Sequence, residues 1–488
     1  MFKDVKILLA NPKALFFKNI GTKQTIFKNT IWLTLAEIIA RLFGLILIIY
    51  VARILGATEY GKFTFALSFV SIVVIFSNLG LMEIATREFS RDKENEKKFA
   101  GIFTLQLVLC TLTMLAIIIS SFFITSDSSI RRTIWVLGIF VLSASFLGPI
   151  YAFLRARQKM EYEAFIKIFL AVISAVAVLF VILNIPSSAN LSYGYAISNL
   201  IAACLIVLLF SLIFYPLSLK WEKGSFNILK LSWPLSLGFS ADWILLSINS
   251  VMLGYYNLIP ENGWYGAAAK IAMAAIIPAD LIIRSFFPAL SNFFNTSKDK
   301  FNMLWGYLSQ GMIFLAIPTI VGGFVLSPKI INSFYGQSYA PSILILQFMF
   351  FVVGMGFLCY SYNITLIVVD QQKNNFILIM LAGALNVLLD MFLIPLYGLY
   401  GALIAMIVSS IIFFVSTITV FKYKMNSLPF NKKLFKAFLI AIFSSVAMYF
   451  VITNSLIHGF NVIFICLIGI IIYFLFLIPA YIVFIRGK

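Results

Sequence analysis

Glu37, Arg41, Asp242, Lys270, Asp280, Arg284, Asn386 and Asp390 stand in stretches that are otherwise built from hydrocarbon side chains. A charge at the centre of a bilayer costs at least roughly 2.5–3.5 kcal/mol on insertion scales, and such groups usually face a bundle interior or a wet cavity. Their chemistry is therefore that of a pathway. Arg41 and Lys270, with Arg155 at the inner end of another apolar stretch, are cations able to hold a phosphate-bearing headgroup. The carboxylates Glu37 and Asp242 could hold these cations when no anion is present, and Asp390 is a candidate site for an ion or a proton.

The spacing places these groups on helix faces. Thr30, Thr34, Glu37, Arg41 and Gly44 follow steps of three and four, so they form one polar stripe. Lys270, Met273, Ile277, Asp280 and Arg284 share a second face, with Pro278 placed to kink that helix. Gly238, Asp242 and Asn249 come from a third segment, and Gly383, Asn386 and Asp390 from a fourth. Structural readings stand beside the functional ones. Glu37 and Arg41 are spaced to neutralise each other, and Arg284 is near enough to the inner surface to snorkel. Lys270 has no acid three or four residues away, which leaves Asp242 as its natural partner.

The elements that must carry these residues are membrane spans. The chain has 488 residues, of which 62% are hydrophobic and 11% charged, with a mean hydropathy of +1.03; soluble domains run nearer 45–50% apolar and about 25% charged. About 20 apolar residues make one spanning helix. The sequence resolves into fourteen such spans, approximately 30–52, 62–83, 100–125, 133–154, 164–184, 191–215, 231–256, 263–288, 303–326, 341–368, 376–396, 399–421, 434–453 and 460–485. The expected fold is an all-α polytopic membrane protein. With an even number of spans and an inner start, both termini are cytoplasmic. Twenty-nine of the 36 Lys and Arg residues then fall on the inner side and five on the outer, as the positive-inside rule requires. Topology explains most of the net charge of +18 without nucleic acid.

Glu37 and Tyr60-Gly61 are echoed by Asp242 and Tyr265-Gly266 at a common offset of 205 residues. Two looser echoes link residues 157–160 with 371–374 and residues 193–196 with 400–402. The expected organisation is a basic cytoplasmic or interfacial tail (1–29), an N-lobe of six helices (30–222), a pseudo-symmetric C-lobe of six (223–425) and a C-terminal helix pair (426–488). Equal orientation of the lobes places their pseudo-twofold axis along the membrane normal, with the substrate cleft between them.

Several chemistries are excluded. Cys110, Cys204, Cys359 and Cys466 lie in apolar segments without paired spacing, so no disulfide or metal site is expected. The single histidine, His458, lies in a short loop. No GxxxxGK[ST] run is present, and Gly354-Met355-Gly356 lies within a span, where it reads as helix packing. Gly401 and Ala405 form a small-residue face for close helix contact. No cofactor and no enzymatic activity are expected.

The run Arg-Ile-Leu-Gly-Ala-Thr-Glu-Tyr-Gly-Lys-Phe at 53–63, with Asn-Leu-Gly-Leu at 78–81, resembles the N-terminal signature of Wzx-type polysaccharide flippases. Ile-Pro-Leu-Tyr-Gly-Leu-Tyr-Gly-Ala-Leu-Ile-Ala at 394–405 and Tyr-Gly-Ala-Ala-Ala-Lys at 265–270 are similar to later junctions of the same family. The family belongs to the multidrug/oligosaccharidyl-lipid/polysaccharide exporter superfamily. The resemblance implies two six-helix lobes around a cavity, and movement of a polyprenyl-pyrophosphate-linked oligosaccharide from inner to outer leaflet by alternating access. It implies cavity cations that meet the pyrophosphate, and by position Arg41 and Lys270 are the candidates. The expected partners are the lipid-linked oligosaccharide and membrane lipids, with Na+ or H+ as coupling ion and polysaccharide polymerase or glycosyltransferase machinery nearby. The expected location is the cell membrane.

The alternative is an ion-coupled multidrug or cation antiporter of the same superfamily, usually with twelve spans. A major-facilitator exporter would carry glycines in the loop at 83–93, which here reads Glu-Ile-Ala-Thr-Arg-Glu-Phe-Ser-Arg-Asp-Lys. A membrane glycosyltransferase or polymerase would need a large outer loop, and the longest outer connection falls only near 327–340.

Overall fold

The computed structural model describes residues 19, 21–91, 96–216, 219–220, 229, 232, 247–425, 432–454 and 460–483. Within them, regular structure is entirely helical. Twelve stretches are long and apolar enough to cross a membrane. The first, Gln24–Arg91, has 68 residues, about 100 Å of helix at 1.5 Å per residue, so it accommodates two of the expected crossings. The expected seventh span, with Asp242 and Gly238, lies outside the described residues except for a helical stretch at 247–255. The 222/223 lobe boundary, His458 and residues 1–18 lie outside them as well.

The chain divides into two compact units, residues 1–55 with 62–247, and residues 56–61 with 248–488. In the first unit run α1 (Thr22–Val73), α2 (Ile75–Asn78), α3 (Leu81–Arg91), α4 (Glu96–Ile124), α5 (Ser128–Phe146), α6 (Gly148–Ala156), α7 (Met160–Asn184) and α8 (Ser188–Ile213). Asp127 starts α5 by accepting the Ser129 and Ile130 amides, and Ser187 starts α8 by accepting the Asn190 amide. The core of this unit gathers Leu81, Phe99, Ile150, Leu154 and Phe210.

Two spanning stretches of this unit are broken. The chain takes left-handed angles at Leu79 (φ 43°) and Gly80 (φ 71°), separating α2 from α3. Between α5 and α6 the break falls at Leu147, and Pro149 occupies the first turn of α6. Proline has no amide hydrogen and cannot continue the ladder from Ser145.

The second unit holds α9 (Ile259–Ala275), α10 (Ile277–Thr296), α11 (Lys298–Phe334), a 3-10 turn (Gln337–Tyr339), α12 (Ser342–Val368), α13 (Gln372–Tyr397), α14 (Leu399–Met425), α15 (Lys432–Ile452) and α16 (Val462–Tyr481). Its core includes Leu308, Met312, Phe357, Tyr362 and Phe421. Pro278 breaks its span between α9 and α10, at Ile276. The C-terminal helices α15 and α16 pack on each other and on α11, and the Tyr473 hydroxyl donates to the Phe314 carbonyl at 2.9 Å. Gly401 lies against the Leu393 carbonyl, where a Cβ would collide; Gly354 likewise makes room for Ile320.

The connection expected between the spans 30–52 and 62–83 is compressed into one residue. Gly56 alone departs from helical angles (φ 71°, ψ 172°), and the helix resumes at Ala57. Only glycine takes that backbone conformation without strain. Residues 56–61 then pack with the second unit. Gly61 and Gly263 have no side chains to separate the backbones, so Gly61 meets the Ile259 carbonyl and Gly263 meets the Ala57 carbonyl. Asn262 donates to the Gly61 carbonyl at 3.2 Å and accepts from Ser250 at 2.8 Å.

Candidate functional site

In the first unit, five ionisable side chains from α1, α6 and α7 form a continuous array. Arg155, in the last turn of α6, donates from Nε and Nη2 to the two carboxylate oxygens of Glu163 at 2.8 and 2.6 Å. This fork-to-fork contact is the strongest geometry available to such a pair. Glu163 opens α7 and also meets Lys167, one turn on, at 3.1 Å. The Lys167 ammonium lies 3.9 Å from Glu37 Oε2. Glu37 Oε1 in turn accepts from Arg41 Nε at 2.7 Å.

The array holds three cations and two carboxylates. Glu163 is fully buried, whereas the side chains of Arg41, Arg155 and Lys167 are 40%, 37% and 27% exposed. The buried acid thus anchors cations whose outer faces stay open. An excess of one positive charge with accessible guanidinium and ammonium donors suits an anion with several oxygens, and phosphate is such an anion. The Tyr151 ring lies 5.9 Å from the Lys167 ammonium.

A second cluster ties α1 to the start of α7. Lys28, expected with the basic tail, has a fully buried side chain. Its ammonium meets Glu161 at 3.0 Å and Asn19 at 2.6 Å. Asn29 donates to Gln158 at 2.8 Å. The two helices are therefore joined by pairs of opposite polarity, Lys28 to Glu161 and Glu37 to Lys167.

In the second unit, Asp280 and Arg284 form an i,i+4 pair on α10 at 3.0 Å, with Arg284 67% exposed. Lys270, on α9, is half-buried and makes no ion pair or hydrogen bond among the described residues. Its expected partner Asp242 is outside them. Asp390 on α13 is fully buried, and neither carboxylate oxygen has a hydrogen-bond partner among the described residues. One turn earlier Asn386 donates to Ser409 at 3.2 Å. The Tyr265 hydroxyl lies 4.0 Å from the Met406 sulfur, and Asn249 donates to the Ala402 carbonyl at 3.4 Å.

The family described as polysaccharide biosynthesis protein matches residues 26–294, more than half of the chain and all of the cationic array. The chain belongs to that family. It is 24% identical over 381 residues to the Haloferax volcanii protein named "Probable flippase AglR", covering 75% of this chain and 77% of that one. It is 26% identical over 340 residues to a protein named as an O-antigen transporter in Shigella flexneri, covering 65% and 78%. Among solved structures, the lipid II flippase MurJ in an inward closed conformation matches with a TM-score of 0.72 at 18% identity, over 92% of this chain and 98% of that one. An inward-facing multidrug resistance MATE transporter of the MOP superfamily matches at 0.64 and 14%, over 82% and 99%. The fold is that of these two structures, and the two relatives carry the names of transporters rather than of enzymes.

Sequence reasoning found Glu37, Arg41 and Arg155 in this family member but not the two residues that join them. Lys167 falls among the inner-side Lys and Arg residues, and Glu163 carries no expectation of its own. Their i,i+4 spacing was the available signal. The contact of Arg155 with Glu163 crosses a helix junction, and no periodicity reports such a contact. Arg41, Glu37 and Arg155 are brought into one array; Lys270, Asp280, Arg284, Asn386 and Asp390 belong to the second unit.

Proposed function

We propose that this protein flips a polyprenyl-(pyro)phosphate-linked oligosaccharide from the inner to the outer leaflet of the cell membrane by alternating access, with both termini cytoplasmic. The observation that supports this reading best is the array of Arg41, Lys167 and Arg155, three partly exposed cations of which the buried Glu163 holds Arg155 and Lys167 and Glu37 holds Arg41, in a member of a polysaccharide biosynthesis family. The phosphate oxygens replace Glu37 and Glu163 as acceptors for these cations, and the carboxylates take them back when the substrate leaves. Lys270 contributes a further cation. Asp390, a buried acid beside Asn386 whose oxygens have no hydrogen-bond partner among the described residues, is the position for a coupling Na+ or H+.

The test is reconstitution in liposomes with a labelled lipid-pyrophosphate oligosaccharide, scoring its accessibility from the opposite leaflet with and without an ion gradient. Arg41→Ala combined with Lys270→Ala should abolish transport while the protein remains in the membrane. Transport at the wild-type rate in that double variant would sink the phosphate-binding role. Asp390→Asn should remove the effect of the gradient; a gradient effect that survives it would exclude Asp390 as the coupling position. A polycationic drug transported in place of the lipid would favour the antiporter reading.

A further inference from the structure

Gln106, in the middle of α4, is fully buried in an apolar unit. Its Nε2 donates to the Ser77 carbonyl at 3.0 Å and to the Ser145 carbonyl at 3.1 Å. Both acceptors lie at helix breaks. Ser145 precedes Pro149 by four residues, so the amide that would continue its ladder is missing, and within the helix only the Leu147 amide at the break turns toward it. Ser77 comes just before the left-handed residues Leu79 and Gly80, where the ladder of the preceding helix stops. The Ser77 hydroxyl also donates to the Ser145 hydroxyl at 3.0 Å. A buried carbonyl without a donor is costly in an apolar medium, and one amide group serves both.

Beyond the two breaks, α3 and α6 pack on each other. The Met82 side chain occupies the space over Gly148, and the Phe89 and Phe153 rings meet edge-on with centroids 6.3 Å apart. The α6 segment ends in Arg155, whose guanidinium is part of the array above.

We propose that Gln106 is a positioning residue that joins the breaks after Asn78 and Phe146 into one hinge, so that α3 and α6 swing as a single body and carry Arg155 toward and away from the phosphate. The role of Arg155 in this statement rests on the function proposed above; the hinge itself does not. Pro149 keeps the α5–α6 break open, and Gln106 satisfies what the proline leaves behind while coupling it to the other break.

The experiment uses the full chain in proteoliposomes, with Gln106→Leu and Pro149→Ala. Binding of a labelled lipid-pyrophosphate oligosaccharide, its flipping rate and the thermal midpoint are read for each. Gln106→Leu should slow flipping roughly tenfold, the size of one lost buried hydrogen bond, with binding changed less than about threefold. Pro149→Ala restores the donor to Ser145 and closes the break, so it should raise the midpoint while slowing flipping. A purely structural staple would move stability and rate together, so a more stable Pro149→Ala variant that flips at the wild-type rate would overturn the hinge. Spin labels at the exposed positions Ser90, Lys159 and Ile119 give a readout that needs no substrate. The Ser90–Lys159 distribution should be narrow in the wild type and broad in Gln106→Leu; equal widths would also overturn the proposal. Failure of the wild type to bind the lipid, with these distributions as expected, would refute the phosphate reading and leave the hinge standing.

Discussion

Replacing Glu163 by glutamine removes one negative charge from the centre of the array while keeping its size and one accepting oxygen. The carboxylate makes three contacts, two to Arg155 at 2.6 and 2.8 Å and one to Lys167 at 3.1 Å. The amide leaves only one accepting oxygen, so the contact through the other is lost and the remaining ones no longer face a full negative charge; a hydrogen bond to a charged group contributes about 1.5–3 kcal/mol. Arg155 and Lys167 are 37% and 27% exposed, and solvent screening brings the total down to about 1–2 kcal/mol. If phosphate displaces Glu163 during the cycle, that loss appears as tighter substrate binding, about tenfold for 1.4 kcal/mol. Release then becomes slower, and flipping falls. The assay is equilibrium binding of a labelled lipid-pyrophosphate oligosaccharide to purified Glu163→Gln protein, followed by leaflet-exchange rates in liposomes. Binding weakened to the same degree as in Arg155→Ala would refute displacement, because it would mean that Glu163 only orients Arg155.

Two further outcomes follow from packing and pairing. Lys28→Met should lower the thermal midpoint in detergent, since it strands Glu161, which is 16% exposed; loss of one partner of a buried pair costs about 3 kcal/mol, and an unchanged midpoint would contradict the buried pairing. Gly61→Ala should destabilise the protein by about 1–3 kcal/mol through overpacking against the Ile259 carbonyl, whereas Gly44→Ala, with open space around it, should be neutral; equal midpoints for the two variants would count against the close backbone approach.

The sequence alone determined the class, the helical architecture and the family resemblance. Each of these rests on local or repeated properties, namely the length of apolar runs, the bias of Lys and Arg between loops, and motifs such as that at 53–63. It also placed Glu37 with Arg41 and Asp280 with Arg284, because i,i+4 pairs meet on any helix. Pro278 marked the break between α9 and α10 for the same local reason. The tertiary structure decided what joins distant segments. The link from Arg155 through Glu163 and Lys167 to Glu37 depends on how three helices pack, and the burial of Lys28 depends on a partner 133 residues away. Gln106 carried no visible signal, since a lone amide in an apolar span can serve any neighbour. Only the arrangement of α4 between two broken helices shows that its donors satisfy the carbonyls of Ser77 and Ser145. A helix exposes its own periodicity to a reader of the sequence, but the groups it leaves unsatisfied find partners only in the folded chain.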